Sequence, residues 1–127
     1  MARAPAGRFC WLDLAATDAP RAIEFYGELF GWRALTQGAN GGTFVRLKYQ
    51  EHDVGSVYPM RDAARSAGVP SHWTPYVRVN DAQAACRTAK ELGGSIAVDP
   101  FQVEGVARIA LIVDPTGAPF GVWEEPE

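Results

Sequence analysis

Few side chains in this sequence are suited to acid–base or metal chemistry. Its 127 residues hold two histidines, His52 and His72, and two cysteines, Cys10 and Cys86. The histidines stand twenty residues apart, one in a polar turn and one at the start of an apolar run, so neither a helix nor a strand can present them as a local ligand pair. His52 is expected to be a solvated loop residue, whereas His72, beside Trp73, is placed either to donate to a ligand or to hydrogen-bond the neighbouring linker. The cysteines form no CxxC pattern, which suggests neither a disulfide framework nor a cysteine-held zinc; both are expected to be reduced and partly buried.

What remains for function is one carboxylate in an apolar setting, a few arginines and a set of large rings. Asp13 lies in the run Trp11-Leu-Asp-Leu-Ala-Ala16. Withdrawn from water, such a carboxyl titrates high and can act as a general base or accept a hydrogen bond from substrate. The alternative is a structural pair with Arg46, Arg78 or Arg108. Arg108 has a second possible task, because a planar guanidinium can clamp a carboxylate or phosphate with two hydrogen bonds. Trp11, Tyr58, Tyr76 and Trp123 can stack on an aromatic ligand, at roughly 0.5–1.5 kcal/mol per ring pair beyond area burial, or can simply fill space. Gly121 leaves room for a ligand or marks a close backbone approach.

The elements that would position these groups come in two similar halves. Sliding the chain by 63 residues sets Asp18–Gly31 against Asp81–Gly94 with six of fourteen residues identical, and sets Leu12, Leu14 and Ala16 against Pro75, Val77 and Val79. Each half starts with a short alternating run, Arg8 to Ala16 and Trp73 to Val79, which predicts a half-buried strand. A helix follows each. Asp18 and Asp81 suit the N-cap, Pro20 suits the first turn, and Gly31 and Gly93-Gly94 suit the stop. Ala22, Phe25, Tyr26 and Leu29, and then Ala85, Cys86, Ala89 and Leu92, recur at helical spacing and predict the buried stripes; Phe25, Tyr26, Phe30 and Trp32 are expected in the core.

Three extended runs complete each half: Trp32 to Thr36, Thr43 to Tyr49 and Asp53 to Met60, then Ser95 to Val98, Arg108 to Val113 and Phe120 to Glu124. Turns are expected at Gln37–Gly42, Gln50–Asp53 and Asp114–Gly117. The fold class is therefore α+β, a βαβββ plan used twice: one module at about 8–60, a solvated linker at 61–71 that includes Arg61, Asp62 and Arg65, and a second module at about 72–124. Paired modules of this kind carry helices outside and leave a concave mixed sheet around a cavity. Strand alternation puts Leu12, Leu14 and Ala16 under the first helix and Trp11, Asp13 and Ala15 on the concave side. By the same parity Phe44, Arg46, Lys48, Thr74, Tyr76, Arg78, Gly121 and Trp123 face inward.

Composition narrows the partners. Twelve Lys and Arg against fifteen Asp and Glu give a net charge of −3 with no basic run, so a nucleic-acid partner is not expected. No stretch of about 18 apolar residues occurs, and no apolar segment separates Arg3 from Arg8 in the manner of an export signal. A cytoplasmic protein with no membrane association is expected.

The motifs Trp11-Leu-Asp-Leu with Asp18, Phe25-Tyr-Gly-Glu-Leu-Phe-Gly-Trp32, His72-Trp-Thr-Pro-Tyr76, Gly105-Val-Ala-Arg108 and Asp114-Pro-Thr-Gly-Ala118 stand in an order that resembles the vicinal oxygen chelate superfamily. That is the glyoxalase, bleomycin-resistance and extradiol-dioxygenase group, and the resemblance runs from about Phe9 to Trp123. It implies paired βαβββ modules. It also implies, for most catalytic members, a divalent metal held by His, Glu or Gln, two ligands from each module. The corresponding positions here are Trp11 and Thr74 in the first strands and Gly121 in the last, with Tyr58 as the first-half partner by the 63-residue offset and Val57 or Pro59 on a one-residue slip. Indole nitrogen has no free lone pair and glycine no side chain, so no metal cofactor is expected there.

The expected function is that of a glyoxalase-like protein binding a small organic ligand without the usual metal. If it is catalytic as a lyase or oxidoreductase, Asp13 would serve as base and Arg108 or Arg46 as anion clamp. The alternatives are sequestration of a toxic compound, as in bleomycin-resistance members, or a metal-dependent lyase or dioxygenase with a shifted ligand set. A homodimer is expected by analogy, with modules paired within one chain or exchanged between two.

Overall fold

A computed structural model describes residues 5–39 and 42–126. The element order is β1 (Phe9–Ala16), α1 (Ala19–Phe30), β2 (Arg33–Ala39), β3 (Gly42–Tyr49), β4 (His52–Pro59), α2 (Asp62–Ser66), β5 (His72–Val79), α3 (Ala82–Glu91), β6 (Ser95–Val103), β7 (Ala107–Val113) and β8 (Pro119–Glu124). The architecture is mixed α+β, with the βαβββ series used twice as expected. By its internal contacts the chain divides into Leu12–Trp73, here the first unit, and Thr74–Glu127 with the residues up to Trp11, here the second.

In the first unit the strand order is β2-β3-β4-β1. β1 and β4 run parallel, with Asp13 opposite Ser56 and Ala15 opposite Tyr58, while β3 and β4 are antiparallel with Arg46 opposite Ser56. Asp13, Arg46, Ser56 and Tyr58 therefore share one face. The other face holds Leu14, Ala16, Leu47 and Val57, which pack under α1. α1 begins where Asp18 accepts a hydrogen bond from the Arg21 amide at 3.1 Å, and it ends at Gly31 in the left-handed region with φ 78°.

The second unit repeats the plan with the order β5-β8-β7-β6. β5 and β8 are parallel, Tyr76 opposite Gly121 and Arg78 opposite Trp123, and β7 sets Leu111 and Ile109 beside that pair. Ala110, Ile112 and Val122 lie on the opposite face, under Ala82 and Cys86 of α3. Asp81 caps α3 through the Ala84 amide at 3.0 Å, so the two aspartates related by the repeat do the same work.

Several expectations are corrected. The buried stripe of α1 runs through Ala19, Ala22, Ile23 and Tyr26; Ala22 and Tyr26 are as expected, but Phe25, Leu29 and Phe30 are 57%, 56% and 49% exposed rather than core. Leu12 is 45% exposed and not under the helix, and Leu92 is likewise exposed. The expected linker contains the short helix α2, stopped where Gly68 turns to φ +79°; Arg61, Asp62 and Arg65 are solvated as expected. β6 continues past Val98 to Val103, because Pro100 falls in an edge strand with register irregularities on either side of Val98, where a missing N–H is tolerated. β2 runs on to Ala39 and β3 starts at Gly42, so strand takes up most of the stretch Gln37–Gly42 where a turn was expected; positions 40–41 lie outside the described residues.

Candidate functional site

In the first unit the sheet face away from α1 carries the ionisable groups. The Ser56 hydroxyl donates to Asp13 Oδ1 at 2.7 Å, a contact that the parallel register brings about directly. Ser56 is only 5% exposed. Burial pushes the Asp13 carboxyl up to about 6; the Ser56 hydrogen bond and the charge of His72 work in the opposite direction. Tyr58, two residues along the same strand face, is raised in turn, first by burial and then by the Asp13 charge, with Arg61 opposing. The arrangement can hold a proton on Asp13 at mildly acidic pH and release it near neutrality, beside a phenol that keeps its own.

The other expected first-unit residues are placed as follows. Arg46 forms an ion pair with Asp53, Nε to Oδ1 3.7 Å. His72 Nδ1 lies 2.9 Å from the Pro70 carbonyl, which can only accept, so the proton is on Nδ1 and the ring is tied to the linker, one of its two expected tasks. His52 is exposed at the start of β4. Ser56 is the residue that sequence reasoning missed. The signal was present, since Ser56 stands two places before Tyr58 on one strand, but the partner opposite Asp13 follows from strand register alone.

In the second unit the corresponding face is aromatic. Trp11 and Trp123 stack with centroids 5.4 Å apart and planes at 29°, and Tyr76 meets Trp123 edge-on at 5.8 Å and 78°. Tyr76 is 4% exposed, and its ring lies so close over Gly121 that a Cβ there would collide with ring carbons Cδ2 and Cε2. Gly121 thus marks a close approach, one of its two expected meanings. Thr74 is buried on β5. Arg78 shares this face, and its buried Nε has no hydrogen-bond partner among the described residues. Arg108 belongs elsewhere: it stands opposite Glu124 in strand register, on the α3 side, and donates to Gln83 Oε1 at 3.3 Å.

Comparison with known proteins gives the family. The family model for the glyoxalase/bleomycin resistance protein/dioxygenase superfamily matches residues 8–122. The chain belongs to that superfamily. Among curated superfamily relatives, the anthracycline biosynthesis protein DauV of Streptomyces sp. (strain C5) is 32% identical over 136 residues, covering 98% of this chain and 50% of its own length. The putative glyoxylase CFP32 of Mycobacterium bovis is 32% identical over 116 residues, 90% of this chain and 44% of its own length. This chain therefore spans about half the length of the curated relatives it matches. Among solved structures, methylmalonyl-CoA epimerase from Mycobacterium tuberculosis aligns with a TM-score of 0.69 at 18% identity, covering 100% of this chain and 93% of that one, a likeness of fold.

Register also corrects one superfamily position. Tyr76 pairs with Gly121, and Asp13, the repeat-mate of Tyr76, pairs with Ser56; the first-half partner of Gly121 is therefore Ser56 and not Tyr58. Of the positions that the superfamily resemblance marks, the first unit holds Ser56 and the second holds Trp11, Thr74 and Gly121. Taken singly, an indole, a neutral hydroxyl and a bare backbone closed over by a phenol ring are each poor ligands for a divalent ion. Among the described residues no three His, Cys, Asp or Glu side chains converge elsewhere. No helix of the described residues is long and apolar enough to cross a membrane.

Proposed function

We propose that this superfamily member binds a small, largely aromatic organic molecule in the cytoplasm, without a divalent metal. The observation that carries this reading is the Tyr76 ring seated on Gly121, with Trp123 and Trp11 next to it: the position of a superfamily metal ligand has become an aromatic wall. The name of the relative DauV supports a polycyclic aromatic ligand, because anthracyclines are flat fused-ring compounds. Sequestration needs nothing more than this surface.

A thermal-shift screen with neutral and carboxylated polycyclic phenols tests the proposal. A true ligand at 100 times its dissociation constant adds about 2.7 kcal/mol of stability. Replacing Trp11 and Trp123 by alanine should abolish that shift; retention of the full shift in the double variant removes the aromatic surface from the account. Elemental analysis of protein purified without chelator should find no stoichiometric divalent ion, and a stoichiometric ion would favour a metal-dependent lyase or dioxygenase.

A catalytic reading is favoured by the Asp13–Ser56 pair, in which a raised carboxyl is held by a single short hydrogen bond. In that reading Asp13 removes a proton from bound ligand. Arg46 is no longer the candidate for an anion clamp, since it pairs with Asp53, and neither is Arg108, which lies on the α3 side. Asp13→Ala should then abolish product formation with the fold intact, and unchanged turnover would exclude the role. We also propose a homodimer, for which exposed Phe25, Leu29 and Phe30 on α1 supply apolar surface.

A further inference from the structure

The repeat offers an internal comparison that reaches beyond the proposed function. Each unit has a groove where the edge of its capped helix meets the sheet. In the first unit the groove has a volume of about 310 Å³, and in the second about 610 Å³. The two grooves are the same place in the fold: the 63-residue offset carries Leu14, Ala16, Asp18 and Ala22 of the first onto Val77, Val79, Asp81 and Ala85 of the second.

What differs is the side of the helix that faces the groove. Arg21, Phe25 and Tyr26 of α1 are replaced by Ala84, Thr88 and Ala89 of α3. Around α1 the apolar space is taken by the protein's own rings: Tyr26 stacks with Trp32 at 5.4 Å and meets Trp73 edge-on at 5.5 Å, with the Trp73 indole N–H donating to the Tyr26 hydroxyl. Around α3 both ring positions are truncated. The wall opposite them is Val77, Ile112, Phe120 and Val122, so the vacated space is apolar on both sides.

We propose that the groove beside α3 is a ligand site distinct from the Trp11–Tyr76–Trp123 surface, and that it takes a neutral aromatic molecule of about two rings in place of the rings the first unit supplies itself. Its volume lies within the range of small-molecule sites. Its charge excludes anions. Asp81 and Asp114 stand at the rim, each already engaged, Asp81 by the Ala84 amide and Asp114 by the Thr116 amide and hydroxyl and the Ala118 amide. The hydrogen bonds to Asp114 hold its carboxyl below the ordinary range, so it stays ionised. The site lies on the opposite face of the second unit's sheet from Tyr76 and Trp123, because Val122 alternates with Gly121 and Trp123 along β8.

The test is titration of the full chain with prodan, a neutral naphthalene whose emission reports its surroundings, followed by methyl NMR. Saturable one-to-one binding is expected, with shifts at the methyls of Val77, Ile112 and Val122 and none at Ile109 or Leu111, which share the face of Tyr76. Rebuilding the first unit's rings, Thr88→Phe with Ala89→Tyr, should weaken binding at least tenfold; if that pair does not fold, Ala89→Leu should weaken it several-fold. Absence of saturable binding, or full affinity in the folded variants, would overturn the site. Shifts confined to Ile109 and Leu111 would do so too while supporting the aromatic surface of the proposed function, so the two readings fail separately.

Discussion

Asp13 shows how one residue's chemistry is set by competing neighbours. Burial raises its carboxyl from 3.8 to about 6, against the Ser56 hydroxyl and the His72 charge. Its folded-state value lies above its unfolded value, so the folded chain binds the proton more tightly. The stabilisation that the proton brings is complete below pH 4 and is lost as pH rises through about 6. By that displacement the loss is on the order of 3 kcal/mol. Urea unfolding from pH 4 to 8 should therefore show Asp13→Asn gaining on the wild type as pH rises, since the amide stays neutral and can still accept from Ser56. A constant difference across that range would mean that Asp13 does not titrate there. Ser56→Ala removes the hydrogen bond that favours the charged form, and the Asp13 midpoint followed by carboxyl NMR should move further up.

At the scale of elements, two features can be tested by substitution. The N-caps are equivalent by repeat and by geometry, so Asp18→Ala and Asp81→Ala should each cost about 1 kcal/mol in chemical denaturation. The β5–β8 pair is less forgiving. Gly121→Ala places a methyl group where the Tyr76 ring lies and should cost about 1–3 kcal/mol. Tyr76→Ala frees that space, so in the double variant the Gly121→Ala cost should largely disappear, and simple additivity would show that the ring does not rest on the glycine. Much at this scale was legible beforehand: both caps, the face assignments of β1, β3, β5 and β8, and the turn at Asp114, whose carboxylate accepts from Thr116 and Ala118. The stripe of α3 was legible in Ala85, Cys86 and Ala89, but that of α1 only in Ala22 and Tyr26. Phe25 and Leu29 satisfy helical spacing as well as Ile23 does, and periodicity alone cannot choose between stripes one position apart.

For the molecule as a whole, the exposed rings on α1 have a consequence. Phe25 and Phe30 stand in the apolar face proposed for a second copy of the chain. Phe25→Ser with Phe30→Ser should turn a dimer into a monomer in light scattering, and a dimer unchanged by both substitutions would place the contact elsewhere. Relatives about twice as long show that this domain also occurs within longer chains.

Local rules were enough, from the sequence, for the duplicated βαβββ plan, the capped helices, and the strand alternation that sets Asp13 in one unit and Tyr76 and Trp123 in the other on the sheet face away from the helix. Caps and alternation are properties of a residue and its near neighbours. Tertiary structure alone decided that Ser56 faces Asp13, that Tyr76 covers Gly121, that Arg46 belongs to Asp53 and that Arg108 turns to the helix side. Each of these depends on how two distant strands are registered, and a shift of two residues in a loop changes every partner while leaving each strand's own pattern intact.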